Sequence, residues 1–197
     1  MMGYTHYWYR RKEIPKEDFL RIVGLFKKVY PVLSEMGVVL KGPDGTGDPI
    51  ITDEEVYFNG DANCGHAERE LCIAWPATKA RGIEEEGALD GTWFGGRLVT
   101  ARTCDGDCSH ESFCFPRIEH DYHKSDRHPG WYTNFCKTAF KPYDLAVITF
   151  LAIAKLVLGP DLMLSSDGKE HQWADAFDII YKVIGFRITY WQIMTNA

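Results

Sequence analysis

The chain has 197 residues, of which 45% are hydrophobic and 25% are charged, and its formal net charge is −6. This length predicts a single domain over residues 1–197, and the composition excludes a disordered chain, a collagen and a coiled coil as the main state. The acidic balance argues against a broad nucleic-acid-binding surface.

Apolar runs in the sequence are too short for targeting or membrane insertion. The first twelve residues contain no secretory apolar region. The longest apolar stretch, residues 145–158, falls short of the roughly 20 residues that a membrane span needs. We therefore expect no membrane segment and a cytoplasmic protein. In a reducing cytoplasm, cysteines are thiols or metal ligands more often than disulfides.

The first sixty residues contain clear helix and strand signals. Residues 3–11 alternate and are rich in Tyr and Trp, which predicts a strand. Pro15 fits the first turn of a helix, and the apolar residues that follow have helical spacing. These residues are Phe19, Ile22, Val23, Phe26, Val29 and Tyr30. Residues 42–49 form a Gly- and Pro-rich loop, and Asn59-Gly60 predicts a turn after a short strand over 56–58.

The remaining residues predict an irregular segment followed by alternating helices and strands. Residues 61–121 contain short apolar pieces between Gly- and acid-rich turns, which indicates an irregular Cys/His-rich insertion. Later elements are a helix after Pro142 that ends near Leu158, a strand over 162–164, a helix over 173–184 and a final strand over 187–194. The sum is an α+β fold, with a small mixed or antiparallel sheet and about three helices.

Cysteine and histidine are concentrated in this insertion. Five of the six cysteines and two of the seven histidines lie between residues 64 and 114. Zinc favours thiolate and imidazole ligands supplied as two short-spaced pairs. Cys64-x-His66 and Cys104-x3-Cys108 would form such pairs, with His110 as a substitute ligand. The alternatives are free thiols and, less readily, disulfides.

A partial deaminase pattern overlaps the same residues. His66-Ala-Glu68 followed by two cysteines is similar to the zinc deaminase signature, in which the glutamate moves protons. Here Thr103 replaces the proline before Cys104, and the gap after Glu68 is long. Glu68 is therefore a catalytic candidate only under a deaminase-like interpretation.

Several polar sequence motifs indicate a second kind of site, one that binds a ligand or carries out acid–base chemistry. His110 and Glu111 are candidate acid–base groups, and on a strand His110 and Ser112 would share one face. Lys137 and Lys141, at the start of a predicted helix, could hold an anion. The alternative for His110 is a strand-end histidine that pairs with a local carboxylate or binds zinc, and the alternative for the two lysines is that both are solvated.

The sequence also resembles a family of small, functionally uncharacterised proteins that we associate with bacteriophage genomes and environmental sequences. The matching phrases are Gly3-Tyr-Thr-His-Tyr-Trp8, Asp44-Gly-Thr-Gly47, Phe58-Asn-Gly60, Ser109-His-Glu-Ser-Phe113, Phe135-Cys-Lys-Thr-Ala139, Lys141-Pro-Tyr-Asp144 and Ser165-Ser-Asp-Gly168. Members of this family usually have Thr at the position of Ser112 and Arg at the position of Phe140. The resemblance implies a phage accessory protein that acts inside a host cell, and it implies no activity.

Polar side chains on turns and at element ends more often line a site than fill a core. The leading hypothesis is a site that binds, or binds and hydrolyses, a nucleotide or another small phosphorylated ligand. Its expected ligand-binding residues are Asp44, Thr46, Asn59, Ser112, Arg117, Lys137, Lys141, Asp144 and Asp167. The alternatives are a zinc-dependent hydrolase or deaminase-like enzyme, and a non-enzymatic inhibitor that binds a host protein through exposed aromatic residues.

Overall fold

Helices and strands are known from a computed structural model, which describes residues 4–66, 93–94, 97–98, 102, 106–126 and 128–194. The elements are β1 (Thr5–Arg10), α1 (Lys16–Glu35), β2 (Leu40–Lys41), β3 (Ile50–Ile51), β4 (Glu55–Gly60), β5 (Trp93–Phe94), β6 (Arg97–Leu98), β7 (Phe113–Pro116), β8 (Tyr132–Lys137), α2 (Asp144–Leu158), β9 (Leu162–Ser166), α3 (Glu170–Ile184) and α4 (Tyr190–Ile193). All strand pairs among the described residues are antiparallel, which confirms the α+β class.

The first sheet has the order β8-β1-β9, with β1 in the middle. Trp8 lies opposite Asn134 on one side and Leu164 on the other. Successive side chains of a strand point to opposite faces. His6, Trp8 and Arg10 of β1 are accordingly fully buried on the inner face.

The second sheet is built around β4, which pairs with β2, β3 and β7. Its inner face shares one aromatic core with the helices. The Phe150 ring of α2 lies 5.2 Å from Phe26 of α1 and 5.2 Å from Phe113 of β7, and Phe113 lies 5.3 Å from Trp8 of β1. Both sheets therefore pack on the same core.

Three long helices complete the fold. The spacing that predicts α1 is confirmed, and the helix continues past Pro31, where the missing hydrogen bond lies on the exposed side. Helix α2 is buried along nearly its whole length, because it packs against both α1 and α3. No helix in the described part of the chain combines the length and apolar content that crossing a bilayer requires.

Two predictions of local structure need correction. The prediction of a final strand over 187–194 is wrong, because a short helix, α4, occupies Tyr190–Ile193. Thr189 starts this helix, and its backbone N–H donates to Gln192 Oε1 at 2.9 Å, a capping interaction that favours a helix start. Asn59-Gly60, predicted as a turn, instead forms the end of β4 and pairs with Leu40–Lys41.

Candidate functional site

Three metal-binding side chains meet at the end of β4. The ligand atoms of Cys64, His66 and Cys108 all lie within 4.8 Å of one another, and Cys108 Sγ is 3.4 Å from His66 Nδ1. Donors bound tetrahedrally to zinc at about 2.0–2.3 Å lie about 3.5–3.8 Å apart. These three residues, here called the Cys/His cluster, are therefore within metal-binding distance.

Backbone contacts fix the position of Cys108. The residue is 4% exposed, and its N–H donates to the Asp61 carbonyl at 3.1 Å. The Lys141 ammonium donates to the neighbouring Asp107 carbonyl at 2.6 Å. A side chain at Gly60 would overlap the Cys108 carbonyl, so only glycine allows this close approach.

A tight turn after β4 supplies the other two donors. The Asn63 N–H donates to Asp61 Oδ1 at 2.9 Å, which is an Asx turn. Gly65 has a φ of +73°, in the left-handed region that favours glycine. Cys64 and His66, on either side of Gly65, are half-buried and both lie near Cys108.

Two predicted residues of the zinc and deaminase hypotheses, Cys104 and Glu68, lie outside the described residues. The predicted substitute ligand, His110, does not belong to the group of described donors that includes Cys108. Its imidazole Nδ1 lies 2.7 Å from the Lys137 carbonyl instead.

The loop after Cys108 is held against β4 and β8. The Asn59 amide donates to the His110 carbonyl at 2.8 Å and to Ser112 Oγ at 3.2 Å, and Asn59 Oδ1 accepts from the His110 N–H at 3.1 Å. Glu111 Oε2 accepts from the Lys137 N–H at 2.8 Å. Asn59 and Glu111 thus position this loop with side-chain atoms.

The geometry of His110 determines which ring nitrogen carries a proton. A backbone carbonyl can only accept, so the contact with Lys137 O places a hydrogen on Nδ1. In the neutral ring the lone pair is then on Nε2. Because His110 is exposed, this lone pair is available as a base or a hydrogen-bond acceptor.

The loop over residues 42–49 lies beside these residues. The Asp44 N–H is 3.4 Å from Ser112 Oγ, and both Asp44 and Thr46 are exposed. Asp44 has a φ of +60°, a left-handed conformation that is uncommon outside glycine. The structure therefore brings Asp44, Asn59 and Ser112 together.

Four other predicted ligand-binding residues use their polar groups in contacts with other residues of the chain. Arg117 pairs with Glu13 at 2.7 Å and with Glu54 at 2.8 Å. Asp167 Oδ2 accepts from the Thr5 N–H at 3.0 Å. Lys141 contacts the loop next to Cys108, as described above, and Asp144 is completely buried.

Asp144 belongs to a buried ion network with His6, Arg102 and Asp175. His6 Nε2 and Thr138 Oγ1 each lie 2.7 Å from Asp144 Oδ1, and Arg102 Nε donates to Asp144 Oδ2 at 3.0 Å. Arg102 Nη1 also donates to Asp175 Oδ2 at 2.7 Å. Burial alone would raise the pKa of the Asp144 carboxyl, but His6, Arg102 and Thr138 outweigh it and hold that pKa below its usual range.

Sequence reasoning missed Arg102, Asp175 and the role of His6. One available signal was Asp175, which lies between the apolar residues Trp173, Ala176 and Phe177 on the buried face of α3. A carboxylate on an apolar helix face requires a partner. Nothing near Arg102 in the sequence identifies it as that partner.

Backbone strain is concentrated in the loop that joins β8 to α2. Ala139 and Phe140 have φ values of +50° and +58°, two consecutive left-handed residues without glycine. Such conformations cost of order 1–3 kcal/mol each and persist where surrounding contacts fix them. Here the loop is fixed by Thr138, which contacts the ion network, and by Lys141, which contacts the Cys108 loop.

Comparison of the chain with models of protein families, with curated proteins and with solved structures finds no match.

Proposed function

We propose that this protein binds one zinc ion through the Cys/His cluster. The observation that carries the proposal is the approach of three donor atoms, from Cys64, His66 and Cys108, to within 4.8 Å of one another. Two sulfurs and an imidazole nitrogen are the donors that zinc prefers.

Energetics favour a cation at this position. Thiolates are the form of cysteine that binds metal, and a thiolate as buried as Cys108 needs a compensating positive charge. Zinc would supply that charge. It would also join the turn after β4 to the loop before β7, so that its binding energy stabilises a segment with little apolar core.

The fourth ligand decides between a structural and a catalytic ion. Cys104 would complete a closed shell, whereas a water molecule in its place would leave the open position of a zinc hydrolase or deaminase. We infer that the protein acts in a reducing cytoplasm, inside a host cell as the phage resemblance implies, where its thiols stay available to the metal.

The test is elemental mass spectrometry of protein purified without chelator, combined with thiol titration. We expect about one zinc per chain. Cys64→Ser, His66→Gln and Cys108→Ser should each lower the zinc content, whereas Cys114→Ser, at a half-buried cysteine outside the cluster, should not. Metal-free protein with all thiols titratable would overturn the proposal.

Cobalt substitution then distinguishes the two kinds of site. If Cys104 is a ligand, Cys104→Ser should alter the visible spectrum of the Co²⁺ protein, and added azide should not. If the spectrum responds to azide and not to Cys104→Ser, the site is open and the enzymatic alternative is favoured.

A second candidate function, binding of a small phosphorylated ligand, rests on the geometry of His110. His110 is exposed, its ring is held by the Lys137 carbonyl 2.7 Å from Nδ1, and Glu111 Oε2 accepts from the Lys137 N–H at 2.8 Å. A protonated Nε2 and a lysine ammonium are suitable donors to phosphate.

Isothermal titration with a panel of nucleoside mono- and diphosphates tests this second candidate. We expect saturable binding by at least one of them, with a loss of about tenfold or more in His110→Gln and Lys137→Met. Lys27→Met, at an exposed lysine of α1, is the control. The candidate fails if no compound binds, or if the control weakens binding equally.

A further inference from the structure

The outer face of the β8-β1-β9 sheet carries aromatic rings. Tyr7 and Tyr9 of β1 are half-buried, in contrast to the fully buried His6, Trp8 and Arg10 between and beside them. Phe135 of β8, opposite Tyr7, is 55% exposed. The other outward strand positions carry Thr133, Lys137, Met163 and Ser165, so this face has no Leu, Ile or Val.

The rings continue beyond the strands as a row. Tyr7 and Phe135 have ring centroids 6.3 Å apart, and Tyr9 contacts the His128 ring at 5.0 Å. Past Tyr9, the Arg11 guanidinium lies 4.4 Å from the centre of the Trp131 ring. Tyr7 and Tyr9 are two residues apart on one strand, which places them about 6.6 Å apart along it.

Cationic side chains stand at the two ends of this row. Arg11 is 53% exposed and lies 3.7 Å from Asp161, which is itself 63% exposed. At the other end Lys137 shares the face with Phe135, two residues away on β8. A polymeric ligand with planar rings and anionic linking groups would match this surface, because its rings could lie on the aromatic side chains and its anions could pair with the cations at the two ends.

We propose that this face, formed by Tyr7, Tyr9, Phe135 and the Arg11–Trp131 pair, binds single-stranded nucleic acid by stacking. Tyr, Phe, Trp, His and the arginine plane are the groups on which unstacked bases lie in proteins that bind single strands. Duplex is excluded as the ligand because its bases are already stacked. With a net charge of −6, the protein gains little from long-range attraction, so stacking supplies most of the affinity.

Fluorescence anisotropy of labelled single strands, poly-U and poly-dT, with the full-length protein tests the proposal. We expect saturable binding that an unlabelled duplex does not compete away. About two phosphate contacts predict a slope of log K against log salt near −1.4. Tyr7→Ser and Tyr9→Ser should each weaken binding about tenfold, whereas Tyr7→Phe and Tyr9→Phe, which keep the ring, should bind nearly as the parent does.

Trp191→Ser is the matched control, because Trp191 is 71% exposed and lies on α4, away from the sheet. Circular dichroism establishes that each variant is folded. The proposal is overturned if no single strand binds, if duplex binds equally well, or if Trp191→Ser weakens binding as much as Tyr7→Ser does. Concentration-dependent dimerisation that Tyr7→Ser abolishes would also overturn it, because the face would then be a self-association surface.

Discussion

Two polar clusters lie near the strained loop between β8 and α2, which contacts Asp144 of one and the residue before Cys108 of the other, and the two clusters differ in what completes them. In the ion network of His6, Asp144, Arg102 and Asp175, each group faces a partner of complementary charge or hydrogen-bonding character. In the Cys/His cluster, three potential metal ligands lie within 4.8 Å of one another, and Cys108 Sγ is 3.4 Å from His66 Nδ1. The protein itself supplies the partners of the first cluster, whereas we propose that a zinc ion completes the second.

This difference separates a structural role from a ligand-binding role. A buried and fully paired network holds the chain in one conformation, and the removal of one member leaves the others unpaired. Two cysteine sulfurs and an imidazole match the ligands that zinc prefers, which is why we propose that the second cluster binds a metal. The predictions below change one member of either region and compare the result with a matched variant.

Arg102→Met should have the largest effect. It leaves the carboxylates of Asp144 and Asp175 buried without their cation, which typically costs about 3–5 kcal/mol in the free energy of unfolding. Urea denaturation measures the loss. Arg117→Met is the control, because Arg117 also pairs with two carboxylates but with both of them at the surface. Equal losses in the two variants would contradict a special role for the buried network.

Thr138→Val should reduce stability in a pH-dependent way. It removes a hydrogen bond to the ionised Asp144, a contact that contributes about 1.5–3 kcal/mol. The pKa of Asp144 is lowered below its usual 3.8 in the folded protein, so the network stabilises the fold above that pH and loses this effect as the pH falls further.

The difference between the parent protein and Thr138→Val should therefore be full near about pH 7 and shrink near about pH 3. Denaturation with urea at both pH values measures it. A difference that stays constant would show that the hydroxyl acts through packing and not through the charge of Asp144.

Gly60→Ala tests the approach of β4 to the Cys108 loop. The added methyl group overlaps the Cys108 carbonyl, and overpacking of this kind costs about 1–3 kcal/mol. Zinc content should fall with it. Gly24→Ala is the control, because Gly24 lies inside α1 with open space around it and should gain about 0.5–1 kcal/mol. A Gly60→Ala protein with full zinc content would mean that the loop adjusts freely.

His110→Gln should have the smallest effect on stability, within about 0.5 kcal/mol, because the side chain is exposed. Zinc content should also stay unchanged, since His110 lies outside the Cys/His cluster. Thermal unfolding and elemental analysis measure the two quantities. A loss of zinc in this variant would restore His110 as the substitute ligand that the sequence suggested.

Local patterns in the sequence predicted most of the fold. The 3–4 spacing of Phe19 to Val29 located α1, and alternation located β1. The prediction of a C-terminal strand was wrong. Residues 187–194 are apolar enough for a strand, but the capping interaction between Thr189 and Gln192 favours a helix. In a sequence, such a cap is found only by searching for a Ser or Thr followed three residues later by a Glu or Gln.

The candidate site was predictable where its members are neighbours in sequence. Cys64-x-His66 is a short-range pattern, and Cys108 was part of its predicted partner pair. The ion network was not predictable, because its members come from separate elements that only the tertiary fold brings together. Arg102 lies 42 residues before Asp144 and 73 before Asp175.

The central position of β1 has a consequence for the order of events during synthesis. This strand is synthesised before both of its neighbours, β8 and β9, and the His6 side chain contacts a serine that lies 160 residues later in the chain. At about 5–20 residues per second, the Tyr- and Trp-rich strand waits for about 8–32 s before its sheet can form. The sheet therefore closes only after β9 has been synthesised, and until then the backbone of β1 lacks the hydrogen-bonding partners that it has in the folded protein.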